Sequence, residues 1–328
     1  MIQKPVSQIL SVVVPVYNEE ENVPLLVSRI EGALQGNTFE IILVDDGSTD
    51  QTRNEIKKLK NPNVVLVELN KNYGQSLALA AGIDYAKGDY IITMDGDLQN
   101  DPDDILMMYN KAVTEDWDVV TGIRQKRQDN LVRTFPSKIA NWIIRKTTKL
   151  DIQDHGCALK VFNRETAKDL NLYGEMHRYI TLLAFLNGAK VTEVKVKHHQ
   201  RQFGKSKYGL GRTTKVINDL ILLLFQRKYL QKPIHLFGNI GMLSFSIGGL
   251  ILLYLMVVKF TLGQDIGNRP LLILGILLFF VGIQFFTTGI IIDLQMRTYF
   301  ESQHKRPYKI RKLFIGETEI EKTIHHGN

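Results

Sequence analysis

The chain has 328 residues, 44% of them hydrophobic, a single cysteine and a formal net charge of +7. One thiol, Cys157, excludes an internal disulfide and a cysteine metal cluster. The length holds one sizeable domain and something extra, and the positive balance suits either nucleic acid or an anionic membrane surface.

Residues 9–14 form an apolar, β-branched run that is too short for a cleavable signal and is followed by Pro15. Runs of the same kind recur at 40–44, 64–69, 90–94 and 118–121, with helical patterns between them near 21–34, 50–60, 75–86 and 102–114. Alternation of this kind predicts a largely parallel sheet with helices on both faces, and such sheets bind ligands beyond the C-terminal ends of their strands. The polar clusters fall at those ends: 15–19, 45–48, 70–75 and 95–99. No G-x-G-x-x-G follows the first strand and no G-x-x-x-x-G-K-[ST] occurs, so dinucleotide and P-loop readings lose their main support.

Residues 123–149 read as a basic loop and a helix, 157–163 and 190–197 as further strands, and 198–207 as a basic loop. Between 212 and 230 an amphipathic helix is expected, with Val216, Ile217, Leu220, Ile221 and Leu224 on one face. Residues 236–258 and 270–292 carry no Asp, Glu, Lys or Arg, and each is long enough to span a bilayer. Arg227, Lys228 and Lys232 precede the first, while Arg297, Lys305, Arg306, Lys309, Arg311 and Lys312 follow the second. The positive-inside rule then predicts a two-helix hairpin with both ends in the cytoplasm, and the basic balance is assigned to membrane rather than nucleic acid. Gly275, Gly282 and Gly289 recur every seven residues and predict a helix–helix contact along one stripe, within one chain or between chains.

The most informative segment is Met94-Asp95-Gly96-Asp97-Leu98-Gln99. A strand ending in Asp-x-Asp brings two anions together, which is unfavourable unless a cation lies between them. A hard divalent metal that also holds phosphates fits that need.

Together with Val12-Val13-Val14-Pro15-Val16-Tyr17-Asn18-Glu19-Glu20, Val44-Asp45-Asp46-Gly47-Ser48-Thr49-Asp50 and Asn72-Tyr73-Gly74-Gln75, this segment resembles the inverting, GT-A-fold glycosyltransferases of family 2. Within that family the chain is similar to the polyprenyl-phosphate glycosyltransferases, among them dolichyl-phosphate mannose synthases and bacterial undecaprenyl-phosphate glucosyltransferases. The resemblance covers about residues 8–210. It implies an α/β GT-A fold, Rossmann-like, with a mostly parallel sheet and flanking helices. The expected parts are a cytoplasmic catalytic domain (1–210), an amphipathic interface helix (211–232), two transmembrane helices (233–296) and a basic cytoplasmic tail (297–328).

The resemblance also implies roles. Pro15, Tyr17 and Glu19 would line the nucleoside pocket, Asp46 would hold base or ribose, and Gly74 and Gln75 would lie beside it. Asp95, Asp97 and Gln99 match the family's metal triplet for Mg²⁺ or Mn²⁺, with Asp97 the most direct ligand. Arg124, Arg133, Ser137, Arg201 and Lys207 match acceptor-phosphate residues, and Arg201 and Lys207 lie in Arg201-x-x-Gly204-x-Ser206-Lys207. Asp154, in Asp154-His155-Gly156-Cys157, would act as base or orient the acceptor. His155 and Cys157 read as structural, and His198 and His199 lack companions at zinc-ligand spacing.

The expected activity is inverting transfer of a hexose, glucose from UDP-glucose being favoured, to undecaprenyl phosphate. GDP-mannose with a dolichyl-type acceptor is the alternative, and an inactive membrane scaffold is the rival from another class. The absence of Gln-x-x-Arg-Trp argues against a processive synthase, and only Gln284 and Thr287-Thr288 hint at a transporter. The expected site is at the membrane of the cytoplasmic leaflet, favouring a bacterial inner membrane, and the resemblance implies that copies of the chain can assemble.

Overall fold

The computed structural model describes residues 8–124, 150, 152–174, 176–203, 225, 233–302, 313–315 and 318–320. The chain divides into two compact units at residue 221.

In the first unit, β1 (Ile9–Val16), β2 (Thr38–Asp45), β3 (Val64–Glu68), β4 (Tyr90–Thr93), β5 (Val119–Arg124), β6 (Lys160–Asn163) and β7 (Val191–Val196) form one sheet in the order β3-β2-β1-β4-β6-β5-β7. All pairings are parallel except those of β6, which runs antiparallel to β4 and β5. The central strands are buried on both faces, so they read as continuous apolar runs. Helices α1 (Val23–Ala33), α2 (Thr52–Lys58), α3 (Gln75–Tyr85) and α4 (Asp104–Thr114) fill the crossovers of the first five strands. The apolar face of α1 is Val23, Leu26, Val27 and Ile30, a helical repeat with Pro24 at its start. Two short helices not expected from the sequence, α5 (Arg164–Lys168) and α6 (Ile180–Leu186), join β6 to β7. Each has only five or seven residues, too few for a periodic signal.

The chain reverses its order of addition between β1 and β4. That is the topological switch point, where open α/β sheets leave a crevice. Register sharpens the place: Val16 lies opposite Asp45, and Val13 opposite Thr93. The segments 15–19, 45–50 and 94–99 therefore leave adjacent strands side by side.

In the second unit, α7 (Pro233–Leu262) and α8 (Pro270–Ser302) are long and apolar enough to cross a membrane, with mean hydropathy 2.2 for the first and 2.3 over Pro270–Met296. Helix α8 runs beyond the expected end at 296 because neither Gly nor Pro occurs from 290 to 306. The Gly275, Gly282 and Gly289 stripe packs within the chain. A Cβ on Gly282 would lie 2.7 Å from the Gly241 carbonyl, and one on Gly248 2.8 Å from the Gly275 carbonyl. Two seven-residue glycine rows thus let the backbones touch where lipid offers no hydrophobic drive. The expected surface helix at 211–232 lies outside the described residues, apart from Phe225, as does most of the basic tail. Within the tail, β8 (Leu313–Ile315) and β9 (Thr318–Ile320) form an antiparallel pair that the sequence reading did not include.

Candidate active site

One wall of the crevice is built from loops leaving β1, β2 and β4. Asp46, buried at the end of β2, accepts from the Tyr73 N–H at 2.7 Å and the Gly74 N–H at 2.9 Å. Burial raises its carboxyl against those two bonds. Gly74 has φ +93, a region open mainly to glycine, and it caps α3. Neighbouring Asp45 takes the Arg53 guanidinium at 2.5 Å. The first loop is tied to the second through main-chain N–H groups: Asn18 donates to Ser48 Oγ at 2.9 Å and Glu19 to Thr52 Oγ1 at 2.8 Å. Pro15, Tyr17 and Glu19 are part-buried beside this seam.

The third loop holds the acidic pair. Gly96 separates Asp95 from Asp97, and a Cβ there would come within 2.9 Å of Val16 Cγ1. Glycine thus lets the loop lie close against β1 without displacing Val16. Burial, and then the negative charge of Asp97, push the Asp95 carboxyl up to about 7. Gln75 Nε2 donates to Asp95 at 2.7 Å, linking the start of α3 to the pair. Asp97 is buried; one oxygen accepts the Gln99 N–H at 3.1 Å and the other the Arg201 guanidinium at 2.6 Å.

Arg201 reaches Asp97 because its segment is zipped to the acidic loop. His199 N–H donates to the Gln99 carbonyl at 2.9 Å, and Asn100 and His198 form an antiparallel bridge. The Gln99 side-chain amide points back to the His199 carbonyl at 3.4 Å. Asp104 accepts the Lys197 N–H at 2.7 Å, and Asp101 meets the His199 ring at 3.1 Å.

A second arginine stands on β5. Arg124 grips Asp154 with two parallel bonds, Nε to Oδ2 at 2.7 Å and a terminal nitrogen to Oδ1 at 2.9 Å. Burial acts to raise the Asp154 carboxyl, but the bonds and charge of Arg124, with the Lys160 charge behind them, hold it down at about 2. The Gly156 N–H also donates to Asp154, at 3.1 Å.

The structure thus places Gln75 on Asp95, Gln99 and Arg201 on Asp97, and Arg124 on Asp154. Arg133, Ser137 and Lys207 lie outside the described residues. Among the described residues no group of three or more His, Cys, Asp or Glu side chains is arranged to hold a metal. Two carboxylates and an amide oxygen do suit a hard cation whose remaining ligands are water and phosphate. Sequence reasoning missed Lys160, buried between β4 and β5. The available signal was a lysine inside the apolar run Leu159-Lys160-Val161-Phe162.

A mostly parallel sheet with an acidic strand end at its switch point is a GT-A arrangement. A model of the glycosyl transferase family 2 matches residues 11–170. Glucosyl-3-phosphoglycerate synthase from Mycobacterium tuberculosis, solved with Mn²⁺, UDP and glucosyl-3-phosphoglycerate, shares the fold at TM-score 0.54. The match covers 67% of this chain and 80% of that one, at 18% identity. Two curated relatives match nearly end to end. The dodecaprenyl-phosphate galacturonate synthase of Rhizobium johnstonii is 41% identical over 318 residues, 94% of each chain. The undecaprenyl-phosphate 4-deoxy-4-formamido-L-arabinose transferase of Salmonella enteritidis PT4 is 35% identical over 316 residues, again 94% of each chain. The chain belongs to glycosyl transferase family 2, in its polyprenyl-phosphate glycosyltransferase branch.

Proposed function

We propose that this protein transfers a glycosyl unit from a nucleoside diphosphate sugar to a polyprenyl phosphate at a membrane surface, inverting the anomeric carbon. The observation that carries the reading is the Arg201–Asp97 contact, which joins a leaving-group site to an anion-binding arginine. A phosphate oxygen of the lipid attacks C1, the C1–O bond to the diphosphate breaks, and the nucleoside diphosphate departs with the bonding pair. A lipid phosphate is already anionic at neutral pH, so no strong general base is required. Asp154, held at about 2 by Arg124, suits orienting that arginine better than taking a proton.

Asp95, Asp97 and Gln99 would hold Mg²⁺ or Mn²⁺, which when bound neutralises charge on the leaving diphosphate. The neighbouring fold solved with Mn²⁺ and UDP supports this reading. Pro15, Tyr17, Glu19, Asp46 and Gly74 would receive the nucleoside. Arg124 and Arg201, with Arg133, Ser137 and Lys207, would receive the acceptor phosphate. Two anionic substrates repel, and guanidinium groups in a partly desolvated cleft offset that repulsion.

The acceptor class is supported by the two full-length relatives, both named for polyprenyl phosphates. Undecaprenyl phosphate is our first choice. For the donor, UDP-glucose is our first reading, from the resemblance to undecaprenyl-phosphate glucosyltransferases. UDP-galacturonate is the second, favoured by the 41% identical relative. The two-helix hairpin would anchor the enzyme with its site on the cytoplasmic face. The test is incubation of full-length enzyme with undecaprenyl phosphate, a divalent cation and a panel of nucleotide sugars, followed by mass analysis of the lipid. A sugar-phosphate lipid formed from one donor supports the proposal. No product from any donor, with and without Mg²⁺ or Mn²⁺, would refute it.

A further inference from the structure

Lys160 is among the largest fully buried side chains of the protein, at 2% exposure. It lies on β6 opposite Thr93 of β4 and Thr121 of β5, the strands that lead into Asp95 and Arg124. Its ammonium donates to Thr121 Oγ1 at 3.1 Å, to the His155 carbonyl at 3.4 Å and to the Cys157 carbonyl. Three N–H donors thus meet three acceptors, which is the full capacity of the group. None of the three is a carboxylate.

A buried cation is expensive, and neutral oxygens do not cancel its charge. A methionine of similar length would fill the strand position without that cost. The acceptors explain the choice. Two are main-chain carbonyls of the turn that follows Asp154, and that turn has no regular ladder to hold it. Thr93 Oγ1 takes a third carbonyl of the turn, that of Ala158, at 2.8 Å. The turn in turn fixes Asp154, through the Gly156 N–H, and Asp154 fixes Arg124 with its two parallel bonds. The fit is close: a Cβ on Gly156 would lie 3.0 Å from the Arg124 guanidinium. Burial lowers the Lys160 ammonium from the ordinary lysine value, while its charge helps to lower Asp154 and opposes the rise of Asp95.

We propose that Lys160 is a positioning residue for acceptor capture, clamping the 155–157 turn so that Asp154 holds Arg124 in the geometry that receives the lipid phosphate. The inference rests on the reading of Arg124 as an acceptor-phosphate ligand. It makes Lys160, Asp154 and Arg124 one chain of contacts running from the middle of the sheet to the site.

The test uses full-length enzyme in lipid nanodiscs, with undecaprenyl phosphate as the varied substrate and UDP binding measured in parallel. Lys160→Met should raise the KM for undecaprenyl phosphate about tenfold and leave UDP affinity within about twofold. In an Arg124→Ala background the same change should add less than about twofold, because the two act as a unit. Thr121→Val removes one acceptor of the ammonium and leaves its charge; it should shift the acceptor KM in the same direction by about threefold, and it serves where Lys160→Met does not fold. An unchanged acceptor KM in Lys160→Met, or in Thr121→Val where that variant stands in, would overturn the inference, as would equal loss of lipid and UDP binding. If Arg124→Ala itself leaves the acceptor KM unchanged, the underlying reading of Arg124 fails instead.

Discussion

The two walls of the proposed site, one for the donor and one for the acceptor, hold their carboxylates by different means. On the donor wall Asp46 and one oxygen of Asp97 take main-chain N–H groups, Tyr73 and Gly74 on the first and Gln99 on the second, while Asp45 takes Arg53 and Asp95 takes the Gln75 amide. On the acceptor wall guanidinium groups lead, Arg124 on Asp154 and Arg201 on the other oxygen of Asp97, with the Gly156 N–H also on Asp154. A main-chain donor cannot leave without unmaking the loop. A guanidinium carries five N–H donors, so one held by a carboxylate keeps others for a second oxyanion. The donor wall is therefore tied into its own loops, while the acceptor wall is built on arginine side chains with N–H groups to offer a phosphate. Asp97 belongs to both walls.

That double membership sets the largest expected effect. Asp97→Ala would remove the proposed cation ligand and the Arg201 ion pair at once, so transfer should fall by on the order of a thousandfold, about 4 kcal/mol of transition-state stabilisation. Turnover by lipid mass analysis, with a melting curve to show the variant folded, measures it. Retained activity would show that the walls do not meet at Asp97. Arg201→Ala touches one wall alone. The KM for undecaprenyl phosphate should rise about a hundredfold, with UDP affinity nearly unchanged. The reverse pattern would move Arg201 to the donor wall.

A smaller effect should appear in stability. Asp154 has a folded-state pKa of about 2 beside Arg124, below the ordinary carboxylate value. A depressed carboxylate stabilises the fold above its unfolded pKa, and that contribution disappears as pH falls through the folded value. Wild type should therefore exceed Asp154→Asn by about 2 kcal/mol at neutral pH, and the gap should narrow from about pH 4 towards pH 2. Denaturant midpoints of the two proteins across that range give the comparison. A constant gap would mean that shape, not charge, holds Arg124.

Much of the donor wall was legible in the sequence, because its parts are contiguous motifs at strand ends, and parallel strands put those ends on one side. The apolar runs at 9–14 and 90–94 and the helix between 75 and 86 reappear within a few residues as β1, β4 and α3. The acceptor wall was legible only as a set of residue types. Nothing local predicts that Arg201 lies on Asp97, 104 positions away. Nor does it predict that β6 enters antiparallel and carries Lys160 beneath the site. Those placements come from register between strands distant in sequence, which pattern cannot report. The glycine stripe shows the boundary well: its spacing announced a close contact, and only the fold assigned Gly241 and Gly248 as partners.

The subtlest prediction concerns Asp46. Asp46→Asn keeps the size of the side chain, but only one of its two terminal atoms can still accept a proton. One of the Tyr73 and Gly74 N–H groups must then face an amide nitrogen. The loop from 70 to 74 should shift at the point where it meets the nucleoside, raising the donor KM by about tenfold. The KM for undecaprenyl phosphate should stay within about twofold, since the ion pairs of Arg124 and Arg201 run to Asp154 and Asp97 rather than to Asp46. Equal changes in both constants would mean that the walls move as one body. The contrast between a main-chain wall and a guanidinium wall would then describe only how the two are held, not how they act.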